Sequence, residues 1–398
     1  MRPPVEIFAI ACRAQGVRLL PRIETLPPVR LALADISLTN RTWPRCALLV
    51  PQSRIPNARA LMQYSRMSDP NNLATNRNQS WSRYWATGAL HSCVGSFADN
   101  YDGQIAAFWN QVFARLPPAA RVLDLATGNG ALPRLLLESA SLAHAQIDAV
   151  DLATIAPRWP QTLDPEQRAR VRFQGGICAE SLPFADASFD LVISQYGIEY
   201  TDLAASAVEA RRVLADRGSI ALLMHHAESL PVRLGRCELA ELDWMEQPDG
   251  LLDAARALLP FLAQLGTSAG LARVRSDPLA AQTRAAVNQC MRELDQRADA
   301  NADGAAILRE TQANLAGLFN ASAQLGAVHA QARLQALLAA LAQARLRQTE
   351  LVGCALDEAA LHSLIEHLAG ARRYNREISL IRVRGHLFGW GLQLRPQN

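Results

Sequence analysis

Residues 122–133 read Val122-Leu123-Asp124-Leu125-Ala126-Thr127-Gly128-Asn129-Gly130-Ala131-Leu132-Pro133. A short apolar run stops at a glycine turn, and a helix-forming run follows at once. Such a run bounded by turn residues reads as a buried strand. Gly128 and Gly130 allow positive φ and let a ligand approach the backbone closely. Further out, apolar segments at 121–126, 147–150, 171–173, 189–194 and 219–224 alternate with helical patterns at 132–141 and 203–214. Buried strands alternating with helices imply a parallel sheet covered on both faces. The expected fold class is α/β, doubly wound and Rossmann-like.

Upstream, residues 81–113 are rich in aromatic and small side chains. Ile105, Phe108, Trp109, Val112 and Phe113 recur at helical spacing and give one apolar face. Pro117-Pro118 ends that helix. Downstream of His226 the strand signal disappears for over a hundred residues. Ala- and Leu-rich helical patterns replace it, with Leu334, Leu337, Leu338 and Leu341 on one face and a turn at 298–304. A helix over 356–368 and apolar segments at 378–383 and 387–394, with Gly385 between them, predict a closing helix and an antiparallel hairpin. The expected organisation is an irregular basic segment (1–66), a helical and aromatic lid (67–116), a Rossmann-like domain (117–228), a large helical insertion (229–348) and closing elements (349–398). Residues 1–66 are proline-rich and Arg-rich without sustained periodicity. The favoured reading is that Met67 is the true start and that the preceding stretch is absent from the native protein.

The chain of 398 residues is 49% hydrophobic and 19% charged, which excludes a disordered polymer. No apolar run reaches the roughly 18 to 20 residues of a membrane-spanning helix. The formal charge of +3 arises from the first segment, because the body is mildly acidic; this disfavours a nucleic-acid partner. Lysine is absent, which excludes Schiff-base lysine chemistry and a Walker-type phosphate site. The seven cysteines, at positions 12, 46, 93, 178, 237, 290 and 354, show no CxxC pair and no metal-ligand spacing. Reduced thiols, a cytoplasmic location and no metal are expected.

Asp151 follows Gly130 at the end of the next strand, placed to accept hydrogen bonds from a ribose diol. That alone suits any Rossmann-type nucleotide site. A dinucleotide fingerprint, however, wants a small residue where Pro133 stands. Asp124 would also repel a pyrophosphate, whereas it suits an ammonium group. An NAD(P)-linked oxidoreductase is therefore the disfavoured alternative, together with a non-catalytic binding module.

Residues 176–194 add Gly176-Ile177-Cys178-Ala179-Glu180-Ser181-Leu182-Pro183-Phe184-Ala185-Asp186-Ala187-Ser188-Phe189-Asp190, and Arg212-Val213-Leu214 precedes Gly218. In order and spacing these motifs resemble the class I S-adenosylmethionine (SAM)-dependent methyltransferases, especially the small-molecule branch that includes ubiquinone/menaquinone-pathway enzymes. The resemblance covers roughly residues 95–226. It implies SAM as cofactor, with Asp124, Ala126, Gly128, Asn129 and Gly130 at the methionine end. Asp151 would hold the ribose, and Leu152 would pack on the adenine. Cys178 stands where many relatives carry an Asp bonded to the adenine amino group, so Ala179 or Glu180 is expected to take over that contact. Ser194 and Tyr101 complete the cofactor set the resemblance implies.

An already activated methyl needs an in-line nucleophile more than it needs acid–base help. Where the acceptor must lose a proton, Tyr196, Glu199, Tyr200, His225 and His226 are candidate bases beyond the fourth and fifth strands. His91 is a further candidate for substrate contact. Trp81, Tyr84, Trp85 and Tyr101 are candidates to close over a sulfonium. The stretch 194–197 lacks the tetrapeptide of nucleobase and glutamine N-methyltransferases, so O- or C-methylation of a small molecule is expected. The insertion is a candidate lid or dimerisation surface.

Overall fold

The computed structural model describes residues 70–92, 97, 99–139 and 142–397. The segment 1–66 and its start at Met67 lie outside them. The sheet has seven strands: β1 (Arg121–Leu125), β2 (Gln146–Asp151), β3 (Val171–Gly175), β4 (Phe189–Gln195), β5 (Leu214–His225), β6 (Tyr374–Val383) and β7 (His386–Pro396). Their order is β3-β2-β1-β4-β5-β7-β6. The first five pair in parallel, and β7 runs antiparallel to β5 and β6. The expected doubly wound sheet with a closing hairpin is present.

Side chains alternate across a strand, and β1 uses this to build two cores. Val122 joins the cluster under α2 (Gly103–Phe113) and α3 (Ala131–Leu137). Leu123 and Leu125 join the opposite cluster under α5 (Leu203–Val213) and α11 (Glu358–Ala369). The five apolar residues expected on one face of α2 are the ones it buries. Two elements differ from expectation at their ends. The helix after the glycine turn stops at Leu137 rather than 141, and β5 begins at Leu214 directly from α5. Gly218 explains the second difference: a Cβ there would strike Leu214, so the chain folds tightly over its own start.

Between β5 and α11 lie α6 (Leu230–Met245), α7 (Leu251–Leu262), α8 (Ser268–Ser276), α9 (Pro278–Ala300) and α10 (Ala305–Cys354). Most of them share a separate leucine-rich core. α10 bends at Gly326, whose φ of 70° is not helical. The excursion closes where it opened. Leu356 donates its N–H to the carbonyl of His225 (2.9 Å), and Ala227 donates to the carbonyl of Leu356 (2.9 Å). A further helix, α1 (Pro70–Ala86), crosses the sheet's carboxyl edge. Among the described residues no helix is long and apolar enough to cross a membrane.

Arg212 explains part of the motif spacing noted above. It donates to Glu209 and Asp186 and to the carbonyls of Leu182 and Phe184, so one guanidinium holds the loop before β4. Its side chain is about one-third exposed, so solvent screens part of this gain. Arg212→Ala is expected to lower stability by about 1–3 kcal/mol, and Arg212→Lys to recover only part, because an ammonium lacks the fork. Urea unfolding at unchanged slope checks this; equal stability of the alanine variant and the parent contradicts it.

Candidate functional site

The chain order reverses between β1 and β4, and a ligand crevice is expected at the carboxyl ends of strands at such a switch point. A cavity lies there, with about 1040 Å³ of non-atom space including its open mouth. Its floor comes from the ends of β1, β2 and β4, and its roof from Arg77, Asn78, Trp81 and Trp85 of α1. Two floor residues sit in the left-handed region without being glycine: Ala126 (φ 54°) and Tyr196 (φ 51°). Such strain is uncommon and concentrates at functional sites. Gly197 lets the two turns touch, since its Cβ would lie 2.5 Å from that of Ala126.

Asp124 and Asp151 are the ionisable centre. Asp151 accepts the N–H of Gly128 through Oδ2 (2.8 Å) and that of Ala153 through Oδ1 (2.8 Å). Each of its oxygens keeps a lone pair for another donor. Asp124 is 2% exposed, and its Oδ2 is buried with no partner among the described residues. Burial pushes the Asp124 carboxyl up to about 8, opposed by a side-chain hydrogen bond with Thr127 and reinforced by the nearby Asp151, and pushes the Asp151 carboxyl up to about 6, opposed by its two backbone bonds. Arg77, a cation in the lining, is already paired with Glu350 and donates to the carbonyl of Tyr200. Buried carboxylates beneath the rings of Trp81, Trp85 and Tyr101 complement a positively charged ligand. They oppose a pyrophosphate.

Of the expected cofactor residues, Asp124, Ala126, Asp151, Leu152, Ala179, Glu180 and Tyr101 line the cavity. Gly128, Asn129, Gly130, Cys178 and Ser194 do not; each is committed elsewhere. Gly128 (φ 55°) has the Trp85 indole 2.5 Å from where a Cβ would sit, and Gly130 (φ 82°) has the Phe173 ring at 2.5 Å. Asn129 donates to the carbonyls of Trp85 (2.9 Å) and Ala89 (2.7 Å), which bolts the end of α1 to the glycine turn. Ser194 donates to the carbonyl of Leu125 (2.8 Å) and accepts from the N–H of Ile198 (3.1 Å). The Cys178 thiol donates to Glu180 Oε2 (2.6 Å), and Glu180 Oε1 accepts the N–H of Asp202 (2.9 Å). Glu180 is thus braced on both oxygens.

Among the candidate bases, Tyr196 and Tyr200 line the cavity, whereas Glu199 and His225 stand outside its lining. Glu199 Oε1 accepts the His225 backbone N–H (2.9 Å) and pairs with its Nδ1 (2.8 Å), and the His225 ring stacks on Tyr196 at 4.2 Å. This pair supports Tyr196 from outside. His226 stacks on Trp390 (4.3 Å). His91 does line the cavity, while Tyr84 donates to the His91 carbonyl (3.1 Å) and is absent from the lining. Arg77 and Gln195 are among the polar lining residues that the sequence alone does not single out, as are Asn78 and Thr127. Gln195 falls inside the stretch 194–197, which marks its position but not its role. Among the described residues no cluster of His, Cys, Asp or Glu is arranged to hold a metal.

Gly128 and Gly176 separate backbone strain from crowding. Both have positive φ, but a Cβ at Gly176 meets nothing within 4 Å, while one at Gly128 strikes Trp85. Gly176→Ala is expected to cost about 1–2 kcal/mol from backbone strain alone. Gly128→Ala is expected to cost about 1–3 kcal/mol more through overpacking, and to change Trp85 fluorescence. Equal losses in denaturant unfolding would contradict the crowding argument.

Residues 123–222 match the methyltransferase-domain family. An uncharacterized methyltransferase of Bacillus subtilis is 34% identical over 28% of this chain and 43% of its own length. The malonyl-[acyl-carrier protein] O-methyltransferase of Methylococcus capsulatus is 33% identical over 32% of this chain and 48% of its own length. The chain thus spans under half the length of either relative. A solved S-adenosylmethionine-dependent methyltransferase from Mesorhizobium loti aligns at 22% identity over 31% of this chain and 57% of that one, with a TM-score of 0.26. The residues that match the family, 123–222, form the centre of the sheet and the floor of the cavity.

Proposed function

We propose that the chain is a SAM-dependent methyltransferase acting on a small-molecule acceptor, of the kind found in the ubiquinone/menaquinone branch, with O- or C-methylation favoured. The carrying observation is the buried Asp124 carboxylate with a partnerless oxygen, beside Asp151 and beneath aromatic rings. A group of that kind calls for a cation, and the ammonium and sulfonium of SAM supply two. The unpaired oxygen of Asp124 takes the ammonium. Asp151, held by Gly128 and Ala153, offers its remaining lone pairs to the ribose diol. Leu152 packs on the adenine, and Ala179 with the braced Glu180 meets its amino edge in place of Cys178. Gly128, Asn129, Gly130 and Ser194 act at one remove, by shaping the turns that present these groups.

Bound SAM supplies an activated methyl, and the protein must hold a nucleophile in line at about 3 Å and exclude water. Trp81 and Trp85 on α1 cover the cavity and keep water out. The O-methyl transfer named for the Methylococcus relative is consistent with this reading.

The two carboxyls set a pH dependence with a definite sign. Without a cation, Asp124 holds its proton up to about pH 8 and Asp151 up to about pH 6. The folded chain then binds more protons than the unfolded one above the ordinary carboxylate range, so these groups reduce stability as pH rises through that window. A bound cation favours the ionised form and expels the proton. SAM affinity is therefore expected to rise about 25-fold between pH 6 and pH 7.5 through Asp124 by this linkage. Asp124→Asn should flatten that slope and weaken SAM at the higher pH. Calorimetry across this range decides the matter: a flat profile in the parent chain removes Asp124 from cation recognition, and binding of NAD without SAM overturns the reading as a whole.

A further inference from the structure

Two polar side chains in the cavity wall have a hydrogen-bonding polarity fixed by partners outside the cavity. His91 is 3% exposed and stacks on Tyr101 at 4.4 Å. Its Nε2 lies 3.0 Å from the carbonyl oxygen of Asp99. A carbonyl only accepts, so Nε2 carries the proton. Burial holds the imidazole below its ordinary range, against the opposing backbone contacts of Asp99 and of His91 itself, and a neutral ring protonated at Nε2 leaves Nδ1 as a lone pair. That Nδ1 is buried with no partner among the described residues.

Gln195 is fixed in the opposite sense. The Trp109 indole N–H, which can only donate, donates to Gln195 Oε1. The amide is therefore oriented with Nε2 away from Trp109, and Nε2 is buried without a partner among the described residues. Tyr101 and Trp109 belong to one apolar cluster on the same face of the sheet. His91 and Gln195 both line the cavity, one carrying an acceptor and the other a donor that no described residue meets, and neither group is needed by the cofactor assignments above. Buried polar groups left unmade are costly and ask for an explanation.

We infer that His91 Nδ1 and Gln195 Nε2 form the methyl-acceptor subsite, and that the acceptor is an uncharged hydroxyl on an apolar or aromatic skeleton. The inference rests on the methyltransferase reading. A hydroxyl has a proton to give His91 and lone pairs for an N–H of Gln195. A carboxylate has no proton to give and would face Asp124, Asp151 and Glu180. An ammonium has no lone pair for Gln195, and an aryl amine offers only a delocalised one. Trp81, Tyr196 and Tyr200 supply an apolar, aromatic surround. In the transfer, the acceptor O–H bond breaks and its proton passes to Nδ1. An oxygen lone pair forms the bond to the methyl carbon, and the carbon–sulfur bond breaks with its electron pair left on sulfur. The imidazolium then returns the proton to water.

The test uses the full chain with nitrogen-15 histidine, with and without S-adenosylhomocysteine, titrated with phenol and with anisole, its methyl ether lacking the proton. The Nδ1 resonance that disappears in His91→Gln should be that of an unprotonated, non-bonded nitrogen. Phenol should shift it and anisole should not. Gln195→Leu should weaken phenol binding about tenfold, a change of about 1.4 kcal/mol, while S-adenosylhomocysteine affinity stays within about twofold of the parent, far below the factor that one hydrogen bond carries. A protonated Nδ1 in the free protein, or equal responses to phenol and anisole, overturns the subsite. Failure of the parent chain to bind S-adenosylhomocysteine instead sinks the methyltransferase reading, and the phenol and anisole arms run without it still decide the polarity of the subsite.

Discussion

The site depends on holding two carboxylates out of water at the ends of neighbouring strands. Asp124 and Asp151 stand on β1 and β2, which pair in parallel in register. A buried carboxylate without a countercharge is unfavourable, and the protein tempers that cost unequally. Asp151 receives two backbone N–H groups, whereas one oxygen of Asp124 receives none. The difference leaves Asp124 as the group with most to gain from a cation. The folds around it follow as means of keeping that oxygen dry and unsatisfied.

The glycine turn serves this end less by touching a ligand than by accepting a cover. Gly128 has no side chain because the Trp85 indole occupies the space, and Asn129 grips the carbonyls at the end of α1. Trp159 in turn donates to the Asn129 carbonyl at 2.7 Å. The turn is therefore braced from above and from the flank. Its N–H at Gly128 is spent on Asp151, so turn and carboxylate hold each other in place.

Much of this was legible in the sequence, and the reason is locality. Buried strands announce themselves as short apolar runs, and the face of α2 follows from spacing alone. Asp151 was legible because it ends such a run, and Asp124 because it interrupts one just ahead of the glycines. The division of labour within the glycine turn was not, since it depends on Trp85, more than 40 residues away. Gln195 was opaque for the same reason: its amide is oriented by Trp109, 86 residues distant. Arg77 depends on Glu350, 273 residues away. Spacing reports which face a residue occupies, but hydrogen-bond polarity comes from partners that only the folded chain brings together.

The helical insertion bears on the site through that last pair. No residue of 229–348 is among those lining the cavity, so the expectation that the insertion itself forms a lid is not how these elements meet. A 17-residue helix such as α1 is marginal alone and must be held by its neighbours. Glu350, 8% exposed, sits near the end of α10 and pairs with Arg77, which also donates to the carbonyl of Tyr200 in the cavity wall. Removing Arg77 would strand the buried Glu350 charge, so the contact resists opening more than an exposed pair would. The chain is anchored six residues later, just past the end of α10, where Leu356 joins the end of β5. The insertion therefore acts as a buttress: rooted in the sheet at Leu356, it holds the aromatic cover through contacts that include the Arg77–Glu350 ion pair, and the cover rather than the buttress meets whatever enters the cavity.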